Sequence, residues 1–87
     1  MALEEEFRAA SQEVQKLSRR PENTDLLGLY GLFKQATEGN VSGNRPGILD
    51  IKGRAKYDAW ASRKGMTPEA AMAAYIAFVR KLQATNG

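Results

Sequence analysis

Apolar residues recur at helical spacing along most of the chain. Phe7, Ala10, Val14 and Leu17 follow one another at intervals of three, four and three. That spacing gives one apolar face and predicts a helix over residues 3–17. Glu4, Glu5 and Glu6 suit the positive end of its dipole. Arg19, Arg20 and Pro21 end it, because the residue before a proline is disfavoured in helix. A second helix is expected over residues 24–38, with Asn23, Thr24 or Asp25 available as its cap and Gly39 as its left-handed stop. Its apolar residues, Leu26, Leu27, Leu29, Tyr30, Leu32 and Phe33, cover more than one face. Two readings stay open: a central helix packed on both sides, or one face for the core and one for a ligand. Gly28 and Gly31 weaken this helix by about 1 kcal/mol each relative to alanine, and could allow close approach by a neighbouring helix or a ligand.

Residues 39–52 read as a long connection, which Ile48, Leu49 and Ile51 are expected to pin to the core. A third helix follows over residues 53–64, closed by Gly65. A fourth is expected over residues 68–84, with Thr67 as N-cap and Pro68 at the first helical position. Met72, Tyr75, Ile76, Val79 and Leu82 form its apolar stripe, and Arg80 and Lys81 sit near its negative end. No segment reads as a strand. The pattern predicts an all-α, four-helix domain over residues 1–87, with its one long connection between the second and third helices.

Charge changes this picture by its distribution. The net charge is +3, from 13 basic and 10 acidic residues. Residues 45–64 hold six basic residues against two acidic ones, a surplus of four, so the rest of the chain is slightly acidic. A polyanion or phosphorylated ligand would be drawn to this region. The acidic start, Glu4 to Glu6, is unlike a secretory signal, and no apolar run approaches the roughly 20 residues of a membrane span. A soluble, cytoplasmic protein without membrane insertion is expected.

The chemistry available is limited. There is no cysteine and no histidine. Disulfides, thiolate catalysis, zinc–thiolate sites and Glu-x-x-His metal sites are excluded. None of Ser11, Ser18, Ser42 and Ser62 lies in a nucleophile-elbow sequence. Asp50 and Asp58 stand among basic residues and read more simply as ion-pair partners than as a catalytic pair. The glycine-rich connection lacks the Gly-Lys-Ser/Thr ending of a phosphate-binding P-loop. Neither a metal nor a cofactor is expected, and the reading is of binding rather than catalysis. Tyr30, Phe33 and Lys34 share one helical surface, while Lys56 and Tyr57 lie on the third helix and Tyr75 on the fourth. Aromatic rings and ammonium groups together suit a ligand with a purine and phosphates. The basic surplus also raises a nucleic-acid partner, but interleaved acidic residues and the lack of a helix-turn-helix spacing argue against it. A helical protein-interaction domain, with the second helix exposing an apolar face, is a third possibility.

These residues also stand in a recognisable order. Tyr30-Gly31-Leu32-Phe33-Lys34-Gln35-Ala36-Thr37 is followed by Gly39, by Arg45-Pro46-Gly47-Ile48-Leu49-Asp50, by Gly53-Arg54-Ala55-Lys56-Tyr57-Asp58-Ala59-Trp60, and by Lys64-Gly65-Met66, Ala71 and Tyr75-Ile76. From Phe7 to about Leu82 the chain resembles the acyl-CoA-binding protein family. The resemblance implies an up-down-down-up four-helix bundle and a monomeric, non-catalytic carrier of medium- to long-chain fatty acyl-CoA esters. It implies a bowl-shaped site, with the nucleotide at the rim over an apolar groove for the acyl chain. Tyr30, Lys34 and Lys56 are the implied partners of the ligand's 3′-phosphate, and Tyr75 is an implied aromatic contact. Gly31, Leu32 and Phe33 belong to the same helical turn, and Leu26, Leu27 and Leu29 are candidates for the acyl groove. Three residues depart from the family's usual pattern: Phe33 stands in place of tyrosine, Gln15 in place of a basic residue, and Tyr57 in place of tryptophan.

Overall fold

The computed structural model describes residues 2–86. Met1 and Gly87, the ends of the expected domain, lie outside the described residues. Four α-helices are present among the described residues: α1 (Leu3–Glu13), α2 (Asn23–Glu38), α3 (Ile51–Ala61) and α4 (Pro68–Asn86). The described residues contain no strand. The first helix is shorter than its apolar spacing suggests. It tightens into a 3-10 turn at Val14–Lys16 and ends at Leu17, which is extended. The following segment is held by α4. The Arg19 amide donates to the Asn86 carbonyl at 3.0 Å, and its guanidinium to the Thr85 carbonyl at 2.8 Å. Arg19 thereby satisfies carbonyls in the last turn of α4 that have no partner within the helix.

Helix directions follow from which residues meet. Phe7 packs edge-on against Tyr75 at 5.0 Å, and Glu13 accepts a hydrogen bond from Arg80 at 2.6 Å, so α1 and α4 run the same way. Gly28 lies against Phe78, while Leu32, further along α2, shares a groove with Ala74, so α2 runs against α4. Tyr30 meets Lys56 and Lys34 meets Trp60, so α2 and α3 are parallel. This is the up-down-down-up order. Two parallel neighbours in sequence cannot be joined by a short turn, which is why residues 39–50 must travel back along the molecule.

The core joins α1, α2 and α4. Phe7, Ala10, Leu29, Leu32, Ala36, Ala71, Tyr75, Val79 and Leu82 are buried together. Helix α3 gives this cluster no residue. It packs on α2, where Gly31 allows close backbone approach: a Cβ at Gly31 would stand 2.3 Å from the carbonyl oxygen of Ala59. The ends of α2 and α3 are then tied by hydrogen bonds. Trp60 Nε1 donates to the Gly39 carbonyl at 2.7 Å. The buried Gln35 amide nitrogen donates to Asn40 Oδ1 and to the Met66 carbonyl, both at 2.9 Å, and Asn40 Oδ1 also accepts from the Gly65 amide at 2.8 Å.

Two expectations about the connection and its exit are corrected. Ile48, Leu49 and Ile51 do not pin the loop: they are 76%, 94% and 77% exposed. The loop is held by polar contacts instead. Arg45 donates from both Nε and a terminal nitrogen to the Asp58 carboxylate, at 2.9 and 2.7 Å, and the Tyr57 hydroxyl donates to the Gly43 carbonyl at 3.2 Å. Helix α3 also starts two residues earlier than expected. Asp50 is its N-cap, accepting from the Gly53 amide at 3.0 Å, and a Cβ at Gly53 would strike that carboxylate. Gly53 therefore serves the cap from inside the helix. Likewise none of Asn23, Thr24 and Asp25 caps α2. It begins at Asn23, with Glu22 as an N-cap whose side chain makes no capping bond.

Gly31→Ala should lower stability by about 1–3 kcal/mol, since the added methyl meets backbone and overpacks the contact. Gly28→Ala should cost less, because the atoms that it meets belong to the Phe78 side chain, which can turn aside. Urea unfolding midpoints of both variants check this order. The Arg45 guanidinium, through its hydrogen bonds and then its charge, holds the Asp58 carboxyl below its ordinary pKa. A depressed carboxylate stabilises the fold above its unfolded pKa, and that contribution is lost as pH falls through the lower folded value. Arg45→Gln should move the Asp58 midpoint up toward the ordinary value of about 3.9, read from the carboxyl carbon shift in an NMR titration.

Candidate functional site

The close contact at Gly31 sits in the second half of α2. Toward their first turns the same two parallel helices leave a groove of about 680 Å³, lined by Arg20, Asn23, Leu26, Leu27, Tyr30, Ile51, Lys52, Ala55 and Lys56. Its α2 wall uses positions 23, 26, 27 and 30, a run of three- and four-residue steps on one helical face. The α3 wall uses 51, 52, 55 and 56 in the same way. Leu26 and Leu27 are half-buried, so the apolar face that α2 turns away from the core lies open to solvent in part. Arg20, Lys52 and Lys56 are exposed cations on the rim. Both helices point their N-terminal, positive dipole ends toward this groove. The first-turn amides of α2 have no side-chain cap, whereas Asp50 takes the Gly53 amide of α3. The groove thus combines an apolar wall with a cationic rim, an arrangement suited to an amphiphilic anion.

Two aromatic–cation pairs run along the seam between α2 and α3. The Lys56 ammonium lies over the Tyr30 ring at 5.6 Å from its centre. One turn further, the Lys34 ammonium lies over the Trp60 ring at 4.8 Å. Lys34 is also paired with Glu38 on its own helix, and this hydrogen bond, more than any other influence, raises the Lys34 pKa. Basic side chains of residues 45–64 divide accordingly. Arg45 is committed to Asp58, while Lys52 and Lys56 face the groove.

Of the residues singled out in the sequence, the structure brings Leu26, Leu27, Tyr30 and Lys56 together on the groove, with Lys34 one turn beyond. It does not bring the others there. Leu29 and Leu32 are buried in the core, and Gly31 is buried under Ala59. Phe33 is 38% exposed, but its ring stacks on Phe7 at 5.4 Å and tilts against Tyr75 at 6.0 Å. Tyr75 is buried between these rings and the core, and burial pushes its phenol pKa up. These three aromatics join α1, α2 and α4, and Phe33, seven residues beyond Leu26 and three beyond Tyr30, stands beside those two on the same face of α2. Gln15 and Tyr57 also lie off the groove, Tyr57 being engaged with the connection.

Arg20, Asn23, Ile51, Lys52 and Ala55 also line the groove, although the sequence assigns none of them individually to a binding site. The α3 members carry a signal: Ile51 with Ala55 and Lys52 with Lys56 are four-residue pairs, visible once Asp50 is taken as the cap. Arg20 and Asn23 carry none, since their place depends on how the chain enters α2. No group of residues able to hold a metal occurs among the described residues, and no helix of the described chain is long and apolar enough to cross a membrane.

Comparison with known proteins agrees with this architecture. The family model described as acyl CoA binding protein matches residues 4–79. An acyl-CoA-binding protein homolog of Manduca sexta is 49% identical over 88 aligned positions, covering all of this chain and 98% of that protein. An acyl-CoA-binding protein of Brassica napus is 48% identical over 82, covering 94% of this chain and 89% of its own. The crystal structure of Oryza sativa acyl-CoA-binding protein 2 superposes with a TM-score of 0.91 at 44% identity, covering 95% of this chain and 92% of that one. With matching sequence, helix order and parallel α2–α3 pairing, the chain belongs to the acyl-CoA-binding protein family.

Proposed function

We propose that this protein is a non-catalytic, monomeric carrier that binds medium- to long-chain fatty acyl-CoA esters in the groove between α2 and α3, buffering and delivering them in the cytoplasm as one 87-residue domain. The observation that carries this reading is the pairing of an open apolar wall, Leu26, Leu27, Ile51 and Ala55, with the cations Arg20, Lys52 and Lys56 on one groove. An acyl-CoA ester has the matching division, an alkyl chain joined to a polyanionic nucleotide. Leu26 and Leu27 remain acyl-groove residues in this assignment, with Ile51 and Ala55 opposite them. Tyr30, Lys34 and Lys56 are assigned to the 3′-phosphate, as the family resemblance implies; the adjacency of Tyr30 and Lys56, with Lys34 on the same seam, supports this assignment. Phe33 and Tyr75 keep the aromatic contacts that the resemblance implies, Gly31 seats α3 on α2 beside the site, and Leu29 and Leu32 support the same turns of α2 from the core. Neither a cofactor nor a nucleic-acid partner belongs to this reading.

Calorimetric titration with palmitoyl-CoA, coenzyme A and a DNA duplex tests it. The ester should bind tightly, free coenzyme A much more weakly, and the duplex negligibly. Across an acyl series affinity should rise by up to about 0.8 kcal/mol per buried methylene and then level as the groove fills. Equal affinity for acetyl-CoA and palmitoyl-CoA would remove the groove from the account.

Lys56→Ala and Lys34→Ala should each weaken palmitoyl-CoA binding by roughly tenfold at low salt, as expected for a charge-assisted hydrogen bond. Both losses should shrink as salt screens the charges. Against a dephospho-CoA ester, which lacks the 3′-phosphate, the same substitutions should cost much less. Losses that simply add between protein and ligand changes would place the lysines away from that phosphate.

A further inference from the structure

The Lys34 ammonium is already engaged within the protein. Glu38, one helical turn further along α2, holds it in an ion pair, and it lies at the same time over the Trp60 ring, 4.8 Å from the centre. The ring itself is fixed, because Trp60 Nε1 donates to the Gly39 carbonyl at 2.7 Å. Any anion that recruits Lys34 must therefore take the ammonium from Glu38 or share it. Glu38 has little else to hold. It lies in the last turn of α2, where the helix dipole is unfavourable to a carboxylate. Its side chain is about half exposed, and Lys34 is its one ion-pair partner among the described residues.

We propose that Glu38 is a built-in competing anion that lowers the protein's affinity and selectivity for the phosphorylated ligand by occupying Lys34. This rests on the assignment of Lys34 to the ligand's 3′-phosphate. The phosphate carries more charge than the carboxylate and wins the ammonium. Afterwards Glu38 is left without its ammonium partner, and the loss of that pair is what binding must offset. The displaced carboxylate both opposes binding and favours release. Its effect is specific to a phosphate-bearing ligand and is transmitted through Lys34 alone.

The test uses Glu38→Gln, which keeps size and hydrogen-bonding capacity and removes the charge. It is titrated calorimetrically with palmitoyl-CoA and with the dephospho-CoA ester, in the parent and in the Lys34→Ala background. For the phosphorylated ester, Glu38→Gln should bind about two- to fivefold more tightly than the parent at low salt, in the range of an exposed ion pair, and the gain should fade as salt rises. The dephospho ester should bind parent and variant alike, and in the Lys34→Ala background the gain should vanish. Fluorescence of Trp60, the single tryptophan, should report movement of the ammonium when the phosphorylated ester is added, and less in Lys34→Ala. Unchanged or weaker binding by Glu38→Gln, equal tightening toward both esters, or a gain that survives Lys34→Ala would each overturn the proposal. A different failure has a different sign: a parent that binds both esters equally removes the phosphate assignment, and the proposal with it.

Discussion

The contact between Gly31 and the backbone of Ala59 organises the rest of the structure. Helix α3 gives nothing to the buried cluster that unites α1, α2 and α4, so it depends on its own attachment to α2. That attachment is a backbone approach, possible because Gly31 has no side chain, and it is locked by the Trp60–Gly39 hydrogen bond and the Gln35–Asn40 network. Closing the two helices at this point and leaving their first turns apart creates the groove. The glycine that weakens α2 as a helix is thus what allows α2 to hold a second helix so closely. Gly28 plays a related part toward α4, against a ring rather than a backbone.

Parallel packing of α2 and α3 has an electrostatic consequence. Antiparallel neighbours would set one positive and one negative dipole end at each mouth of their seam. Here both positive ends lie at the groove, together with Arg20, Lys52 and Lys56, and both negative ends lie at the tied end. Parallel packing also demands the long connection, because the chain must return the length of a helix before α3 can begin. The connection is kept in place by the Arg45–Asp58 pair and by Tyr57. This removes one cation of the basic segment from the binding surface and leaves the lysines of α3 to face it.

Helix α2 resolves the ambiguity of its own composition by doing two things at once. Leu29, Leu32 and Ala36 face the core, while Leu26, Leu27 and Tyr30 face the groove. The excess of apolar residues beyond one stripe was a sound sign of a second surface. The periodicity did not say which leucine belongs to which surface, because neighbouring positions near the boundary between two faces differ by small rotations of the helix. Only the packing of α3 on one side and α4 on the other draws that boundary. Phe33, three residues beyond Tyr30 and seven beyond Leu26, stands at the edge of the groove-facing surface, while its ring packs with Phe7 and Tyr75.

The sequence by itself determined the number and approximate extent of the helices, the absence of thiol or imidazole chemistry, the second apolar surface of α2 and the order of motifs that marks the family. These are properties of local spacing and residue type, and local physics suffices to read them. Tertiary structure alone decided that Ile48, Leu49 and Ile51 stay outside the core, that Asp50 caps α3 across Gly53, that Arg20 and Asn23 complete the groove, and that Lys34 is held by Glu38 over Trp60. Each depends on where a helix ends in space relative to another, and that position is set by one close backbone contact between residues 28 positions apart in the chain.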